Sequence, residues 1–301
     1  MKNFEQKLNL PGNRRLAAPS WVKTASLAEN CAFLSDQVDE VGLLFFTSAP
    51  SLAYGEKDLP AQLVDLPLSW HVHLPSDLDW NEPGQAADTC LQLMAKLDFL
   101  GVRRAVLHPP PSLALPDKVS QPLRLLTPPA DNAACHNQGR LSCNAQIAIA
   151  GLRWFVEAWS AAGRDPLDIL LENQPENDLE LLARSAKDLG CSLCLDLAHF
   201  LLHAEESNAS ASTGQSACPP VPAPETLEQV RLLHLCAPEA PRPGSTKRGG
   251  HAALTALGPE ENALGRAICR TVQQDTVFML ELFQWERVCD SFPLLYDWLS
   301  D

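Results

Sequence analysis

The chain has 301 residues, of which 46% are hydrophobic, and its formal net charge at pH 7 is -14. A single α/β barrel routinely reaches this length with one core, and no apolar run approaches the roughly 18 residues that a membrane-spanning helix needs. The acidic balance argues against a protein that binds long nucleic acids, because such proteins carry a basic stripe that neutralises phosphates.

Short apolar runs alternate along the chain with longer helical patterns, which is typical of repeated βα units and a parallel sheet. Eight strands are predicted, at 15–22, 40–46, 68–74, 103–108, 168–173, 192–197, 230–236 and 277–283. Helices are predicted at 25–37, 85–100, 144–162, 177–189, 259–273 and 285–299, with shorter ones at 56–64 and 224–229. Eight parallel strands predict a closed (β/α)8 TIM barrel, an α/β fold, as a single domain over residues 1–301.

Three long insertions interrupt this rhythm, at about 109–143, 203–224 and 237–250. Each follows a strand, so in a barrel it would lie over the active face. The first is rich in Pro and the second in Ser, Ala and Pro, while the third contains Arg242, Lys247 and Arg248. Such loops suit a lid or a substrate clamp, and solvated surface insertions are the alternative.

The N-terminal segment and the cysteines indicate the cellular compartment of the protein. Residues 1–15 mix charged side chains with no apolar central stretch, so no secretory signal is expected there. The ten cysteines are scattered, and several lie in apolar strands, where a reduced thiol behaves as a small hydrophobe. We expect a cytoplasmic protein without disulfides.

Polar side chains cluster where six consecutive strands end: His71, His73, His108, Glu172, Asp196, His199, His234 and Glu281. Parallel barrel strands are buried on both faces, so an imidazole or carboxylate in such a run is costly unless it is paired or bound to a metal. One shared metal site is the convergent explanation. Imidazole and carboxylate ligands suit zinc, manganese or iron, and this ligand set does not choose among them.

These strand ends resemble those of the xylose isomerase-like superfamily, which includes the endonuclease IV enzymes. The shared pattern is His after the third strand, His-Pro after the fourth, Glu-Asn after the fifth, Asp-x-x-His after the sixth, His in the seventh and Glu in the eighth. In the endonuclease family these positions are metal ligands, and an Asp-x-His follows the seventh strand. Here His251 matches that histidine, but Gly249 stands at the aspartate position, so the resemblance does not extend to a full three-metal site.

Within this superfamily, the segments 19–22, 39–46, 54–60 and 71–80 resemble the cobamide-remodelling phosphodiesterases. Those enzymes cleave the nucleotide loop of a cobamide to cobinamide phosphate and an α-riboside of the lower-ligand base. The resemblance implies a metal-dependent hydrolase, with zinc favoured as the divalent ion and manganese or iron as alternatives. The expected partner is a small-molecule cobamide, with no nucleic acid and no membrane.

The roles implied for the site residues fall into three sets. Four residues are expected to form the central metal sphere: Glu172, Asp196, His234 and Glu281. The others complete it or hold a second metal: His73, His108 and His199, with His71 as a further candidate. Glu172 or Glu281 would orient the attacking water, while Lys247, Arg248 and His251 meet the phosphate.

Two other functions remain open from the residues. In a sugar isomerase or epimerase, the same Glu, Asp, His and Glu would bind one metal while the two glutamates move a proton. Four further inward histidines argue against this alternative, since such a site needs fewer ligands. A non-catalytic corrinoid or metal binder that has kept the ligands is the second alternative, and a nucleic-acid nuclease is disfavoured by the charge.

Overall fold

The computed structural model describes residues 7–111, 143–210, 218–241 and 248–300. Eight parallel strands close into a barrel in chain order, with β8 paired to β1. The strands are β1 (Leu16–Pro19), β2 (Glu40–Leu44), β3 (Ser69–His73), β4 (Ala105–Leu107), β5 (Ile169–Glu172), β6 (Ser192–Asp196), β7 (Val230–His234) and β8 (Val277–Met279). The predicted barrel and all eight strand positions are confirmed.

The helices follow the strands and cover the outside of the barrel. They are α1 (Leu27–Leu34), α2 (Ser48–Leu52), α3 (Pro83–Lys96), α4 (Cys143–Ala161), α5 (Leu179–Leu189), α6 (Leu197–Ser210), α7 (Pro224–Leu227), α8 (Pro259–Thr271) and α9 (Trp285–Leu299). Their ends carry ordinary capping signals. Ser26 begins α1 in a capping box with Glu29 of its first turn, and Gly190 ends α5 at a φ of 72°. None of the described helices combines the length and the apolarity that crossing a bilayer requires.

Two predictions of local structure are wrong. The helix expected at 56–64 is replaced by α2, earlier in the chain, and by a 3-10 turn at Ala61–Asp65. The second insertion does not begin as a loop, because α6 starts directly after β6 and continues to Ser210. Leu197 and Leu201 bury against the barrel, and the following Leu, His, Ala and Glu residues have adequate helix propensity, so the helix extends into the predicted loop.

Two separate apolar layers surround the barrel sheet. The larger lies between the strands and the helices. The smaller fills the barrel interior and consists of Ala17, Leu44, Val106, Leu170, Cys194, Leu232, Val277 and Met279. Within it, a Cβ on Gly42 would lie 2.6 Å from His71 Nε2 and 3.1 Å from the Met279 side chain, so only glycine fits there. The interior is therefore packed beneath the strand ends that carry the polar cluster.

The described parts of the insertions lie at the same end of the barrel as that cluster. An antiparallel bridge joins Ala237, after β7, to Ala252. Its two hydrogen bonds have nitrogen-to-oxygen distances of 2.8 and 2.9 Å. Residues 112–142, 211–217 and 242–247 lie outside the described residues, and Arg242 and Lys247 are among them. The bridge anchors the third insertion beside the end of β7.

Candidate metal centre

Glu172 is the hub of the polar cluster. It ends β5 with only 1% of its side chain exposed, and its Oε2 lies 3.0 Å from His73 Nε2 and 3.0 Å from His108 Nε2. Its other oxygen, Oε1, is 3.3 Å from His234 Nδ1. The barrel thus brings three histidines from other strands onto one buried carboxylate. His73, His108 and Glu172 form the first group whose donor atoms could share an ion.

A second group combines four buried residues, Glu172, Asp196, His234 and Glu281, whose donor atoms lie within 4.8 Å of one another. Three carboxylates and one imidazole removed from water are costly without a compensating charge. Among the described residues, His234 Nε2 and Glu281 Oε2 have no hydrogen-bond partner, although Glu281 Oε2 lies 3.2 Å from His234 Nδ1. Buried donor atoms left without hydrogen bonds fit a metal-binding centre.

A third group contains Cys236, His251 and Glu281. His251 has a φ of 76°, a conformation that residues other than glycine seldom adopt and that clusters at functional sites. The sequence predicted His251 as a phosphate-binding residue, and Cys236 is one of the cysteines in apolar strands that were expected to be structural thiols. The signal for Cys236 was its position two residues after His234, although this spacing alone does not distinguish a ligand from a core side chain.

Three histidines are oriented by backbone carbonyl groups. Each donates its Nδ1–H to a carbonyl: His73 to Leu74 at 2.8 Å, His199 to Asn173 at 3.0 Å and His251 to Glu281 at 3.1 Å. Metal-ligating histidines typically use one nitrogen in this way, which fixes the tautomer and leaves the other nitrogen for the ion. The same arrangement of all three rings is therefore a further indication that the site fits a metal.

Asn173 is a positioning residue that the sequence analysis did not assign. Its Nδ2 donates to the Asp196 carbonyl at 3.0 Å, and its Oδ1 accepts from the Asp196 N–H at 2.8 Å. Asp196 Oδ1 in turn accepts the backbone N–H of His199 at 2.6 Å. The end of β6 and the start of α6 are thereby locked to the end of β5, which holds Asp196 and His199 toward Glu172.

The protonation states reflect the crowding of negative charge. Burial lowers the pKa of His234, but Cys194, Glu281 and Glu172 outweigh this and raise it well above its usual range. Burial raises the pKa of Glu281, yet the charge of His234 dominates and lowers it to about 2. Burial also raises the pKa of Asp196, opposed by the charge of His199. The His234 proton thus balances part of the carboxylate charge, a role that a bound cation would take over.

Several solved structures share this architecture. A D-tagatose 3-epimerase-like protein is 15% identical with a TM-score of 0.59, and the match covers 95% of this chain and 97% of that one. A xylose isomerase domain protein from Planctomyces limnophilus is 11% identical, with a TM-score of 0.57 and coverage of 94% and 95%. The IolI protein with a bound zinc atom is 13% identical, with a TM-score of 0.54 and coverage of 95% of each chain.

The fold is that of the xylose isomerase-like barrels. At these identities the likeness concerns the fold, because one barrel architecture supports many chemistries. No protein-family model matches the sequence, and no curated protein matches it.

A cavity of about 220 Å³ opens onto the centre of this xylose isomerase-like barrel. Six of the predicted site residues line it: His73, His108, Glu172, His199, His251 and Glu281. Phe46 and Phe283 form an apolar part of its wall, beside Gln174. A larger cavity of about 400 Å³ lies between α6 and α8, but it contains none of the predicted ligands, so we place the functional site at the smaller one.

His71 is not brought to the ligand groups. Its Nδ1 lies 2.7 Å from Glu40 Oε1, and Glu40 also accepts Arg104 at 2.6 and 2.7 Å and Arg15 at 3.2 Å. His71 and His73 share a strand face, but two residues separate them by about 6.6 Å along the strand. The structure therefore places His73 in the centre and His71 in a buried ion-pair network beneath it, which corrects the prediction that His71 is a ligand.

The loop cations are only partly described. Lys247 lies outside the described residues. Arg248 forms an ion pair with Glu205 of α6 and donates to the carbonyl of Glu239 at 3.1 Å. Its guanidinium does not line the cavity of the centre. In this structure Arg248 fastens the third insertion to α6, and its contact with a substrate phosphate stays a prediction.

Proposed function

We propose that this chain is a metal-dependent phosphodiesterase that hydrolyses the nucleotide-loop phosphodiester of a cobamide to cobinamide phosphate and an α-riboside. The observation that supports this reaction class is the sharing of Glu172 by two ligand groups. One group adds His73 and His108, and the other adds Asp196, His234 and Glu281. A carboxylate shared by two groups is suited to a pair of ions about 3.5 to 4 Å apart, the spacing used by phosphoester hydrolases.

The substrate class is supported by the resemblance of residues 19–22, 39–46, 54–60 and 71–80 to the cobamide-remodelling phosphodiesterases. Leu44, Phe46, His73 and Ser76 of these segments line the cavity. Trp21, beside Phe46, and Phe46 itself are 43% and 46% exposed. The ring centroids of Trp21 and Phe46 are 6.3 Å apart, and those of Phe46 and Phe283 are 6.0 Å apart. Exposed aromatic rings beside a polar centre suit a substrate with a planar base next to its phosphate.

When bound, divalent ions would polarise the phosphoryl oxygens and lower the pKa of a water molecule toward 7. The carboxylates of Glu172 and Glu281 are placed to orient the attacking water, since both line the cavity. His251, which is 30% exposed at the rim, is suited to act on a phosphoryl oxygen, directly or through an ion that it binds. The phenyl rings of Phe46 and Phe283 limit the access of bulk water, which strengthens these polar interactions.

The alternative is a sugar epimerase or isomerase, as the printed name of the D-tagatose 3-epimerase-like neighbour suggests for that protein. Such chemistry needs one metal and two proton-transferring groups. The group formed by His73, His108 and Glu172 supplies ligands for a second ion, which an epimerase does not need, and this favours phosphoryl transfer. A barrel that only binds a corrinoid or a metal is the third possibility.

The experiment that tests the proposal combines metal analysis with chromatography of reaction products. The purified protein should contain zinc or a similar divalent ion and should convert a cobamide to cobinamide phosphate and the α-riboside. Glu281→Gln should reduce this turnover by several orders of magnitude, whereas Glu260→Gln at the exposed start of α8 should not change it. Conversion of a free ketose with no cobamide cleavage would replace this proposal with the epimerase alternative. Metal binding without either activity would replace it with the non-catalytic corrinoid or metal binder.

A further inference from the structure

Cys236 lies beside the carboxylates of the centre, and its Sγ donates to Asp196 Oδ2 at 3.8 Å. It follows β7 directly after Leu235, and its side chain is fully buried. Its Sγ, a donor atom of His251 and a carboxylate oxygen of Glu281 all lie within 4.8 Å of one another. Two ligands of one zinc ion are separated by at most about 4.6 Å, since zinc bonds are about 2.0 to 2.3 Å long. The three donor atoms therefore lie close to the separation at which they could share an ion.

Glu281 provides an independent indication that the space between these residues holds a ligand. Its side chain is 5% exposed, and its Oε2 has no hydrogen-bond partner among the described residues. This oxygen lies 3.5 Å from His251 Nδ1. A buried carboxylate oxygen that faces a charged ring, here His234 Nδ1 at 3.2 Å, without a well-directed hydrogen bond is still costly. A cation bound between Glu281 and Cys236 would remove this cost.

The backbone holds Cys236 and His251 close to each other. The bridge between Ala237 and Ala252 joins the residue after Cys236 to the residue after His251. His251 adopts its positive φ at this point, and its Nδ1–H donates to the Glu281 carbonyl. The bridge and this hydrogen bond orient the imidazole before any ligand arrives, and they leave Nε2 as the donor.

We propose that Cys236 is a thiolate ligand of a further zinc position, shared with His251 and Glu281. Thiolate, imidazole and carboxylate donors are the set that zinc prefers. Binding of the ion replaces the Sγ proton of Cys236, which passes to solvent. Glu281 then links this position to the group of Glu172, Asp196 and His234. The inference rests on the metal dependence of the proposed function and not on its substrate.

The direct test is X-ray absorption at the zinc edge on the wild-type holoprotein, which requires no substitution. One sulfur neighbour at about 2.3 Å is expected for every two or three bound zinc ions, because the spectrum averages over all of them. A zinc-loaded protein with only nitrogen and oxygen neighbours would overturn the proposal while leaving the two groups around Glu172 intact. A protein that binds no divalent ion at all would instead remove the proposed function and this inference together.

A second test uses cobalt-loaded protein and three variants. Wild type should show a sulfur-to-cobalt charge-transfer absorption in the near ultraviolet, Cys236→Ala should lose it, and the bound metal should fall by about one ion per chain. Cys269→Ala is the matched control, because Cys269 is equally buried but lies in α8, and it should keep both signals. His251→Ala, a change in a loop, should also lose one ion, so the test survives if Cys236→Ala does not fold. Unchanged absorption and stoichiometry in a folded Cys236→Ala protein would refute the assignment.

Discussion

Glu40 is expected to contribute a large and pH-dependent part of the stability of the barrel. The carboxylate is fully buried and accepts two hydrogen bonds from Arg104 and one from Arg15, beside the His71 ring. Burial alone would raise the pKa of Glu40, but His71, Arg104 and Arg15 outweigh it and lower it from 4.5 to about 2. At about 1.4 kcal/mol for each pKa unit, ionised Glu40 stabilises the fold by about 3 kcal/mol.

The sign of the pH dependence follows from the lowered pKa. The stabilisation is fully present above pH 4.5, the ordinary value, and is lost as the pH falls toward the folded-state pKa of about 2. At pH 3 about 1 kcal/mol of it should remain. Glu40→Gln removes the charge and leaves Arg104 without its buried partner, so at pH 7 it should cost about 3 kcal/mol or slightly more.

The assay is urea unfolding followed by circular dichroism, at pH 7 and at pH 3, with a chelator present so that metal release does not contribute. The difference in unfolding free energy between wild type and Glu40→Gln should narrow by about 2 kcal/mol between the two pH values. Glu56→Gln is the control, because Glu56 is exposed, and it should show a small difference at both. A Glu40→Gln cost below about 1 kcal/mol at pH 7, or a difference that stays constant, would refute this reasoning.

Three further predictions concern packing, ligand positioning and the loop cations. Gly42→Ala should destabilise the protein by about 1 to 3 kcal/mol in thermal or urea unfolding, because its Cβ would overlap the His71 ring. Gly55→Ala is the control, because no atom of the described residues lies within 4 Å of a Cβ there. Asn173→Ala should lower metal affinity by about 10- to 100-fold in competition with a chelator, since it removes both hydrogen bonds to Asp196. Replacing Lys247 and Arg248 together with Ala should lower cobamide cleavage at least about tenfold without changing metal content, if these cations meet the phosphate.

Each of these predictions has an outcome that contradicts it. Equal stability of Gly42→Ala and Gly55→Ala would show that the barrel interior is less tightly packed than the distances indicate. Unchanged metal affinity in Asn173→Ala would show that Asp196 needs no support from β5. Equal cleavage rates of wild type and the double variant would remove both loop cations from the mechanism, and an Arg248→Ala effect as large as that of the double variant would leave Lys247 without a role.

The sequence by itself determined the barrel and most of the centre. Each strand is a short apolar run, and a polar residue at the end of a run buried on both faces has few structural explanations, so Glu172 and His234 could be predicted as ligands. Closure of eight parallel strands brings their carboxyl ends to one place whatever the details of packing. That is why residues distant in the chain, such as His108 and Glu281, could be assigned to a common site.

Only the tertiary structure decided between residues that look alike in the sequence. His71 and His73 lie on the same face of β3. The register of β3 with β2 puts Glu40 Oε1 2.7 Å from His71 Nδ1, so His71 belongs to the buried ion-pair network and His73 is the candidate ligand. Cys236 has the local pattern of a core thiol, and its proximity to His251 and Glu281 depends on the path of a loop and on closure of the barrel. Periodicity specifies which face a side chain occupies, but its neighbours there come from other strands, whose register the local sequence does not encode.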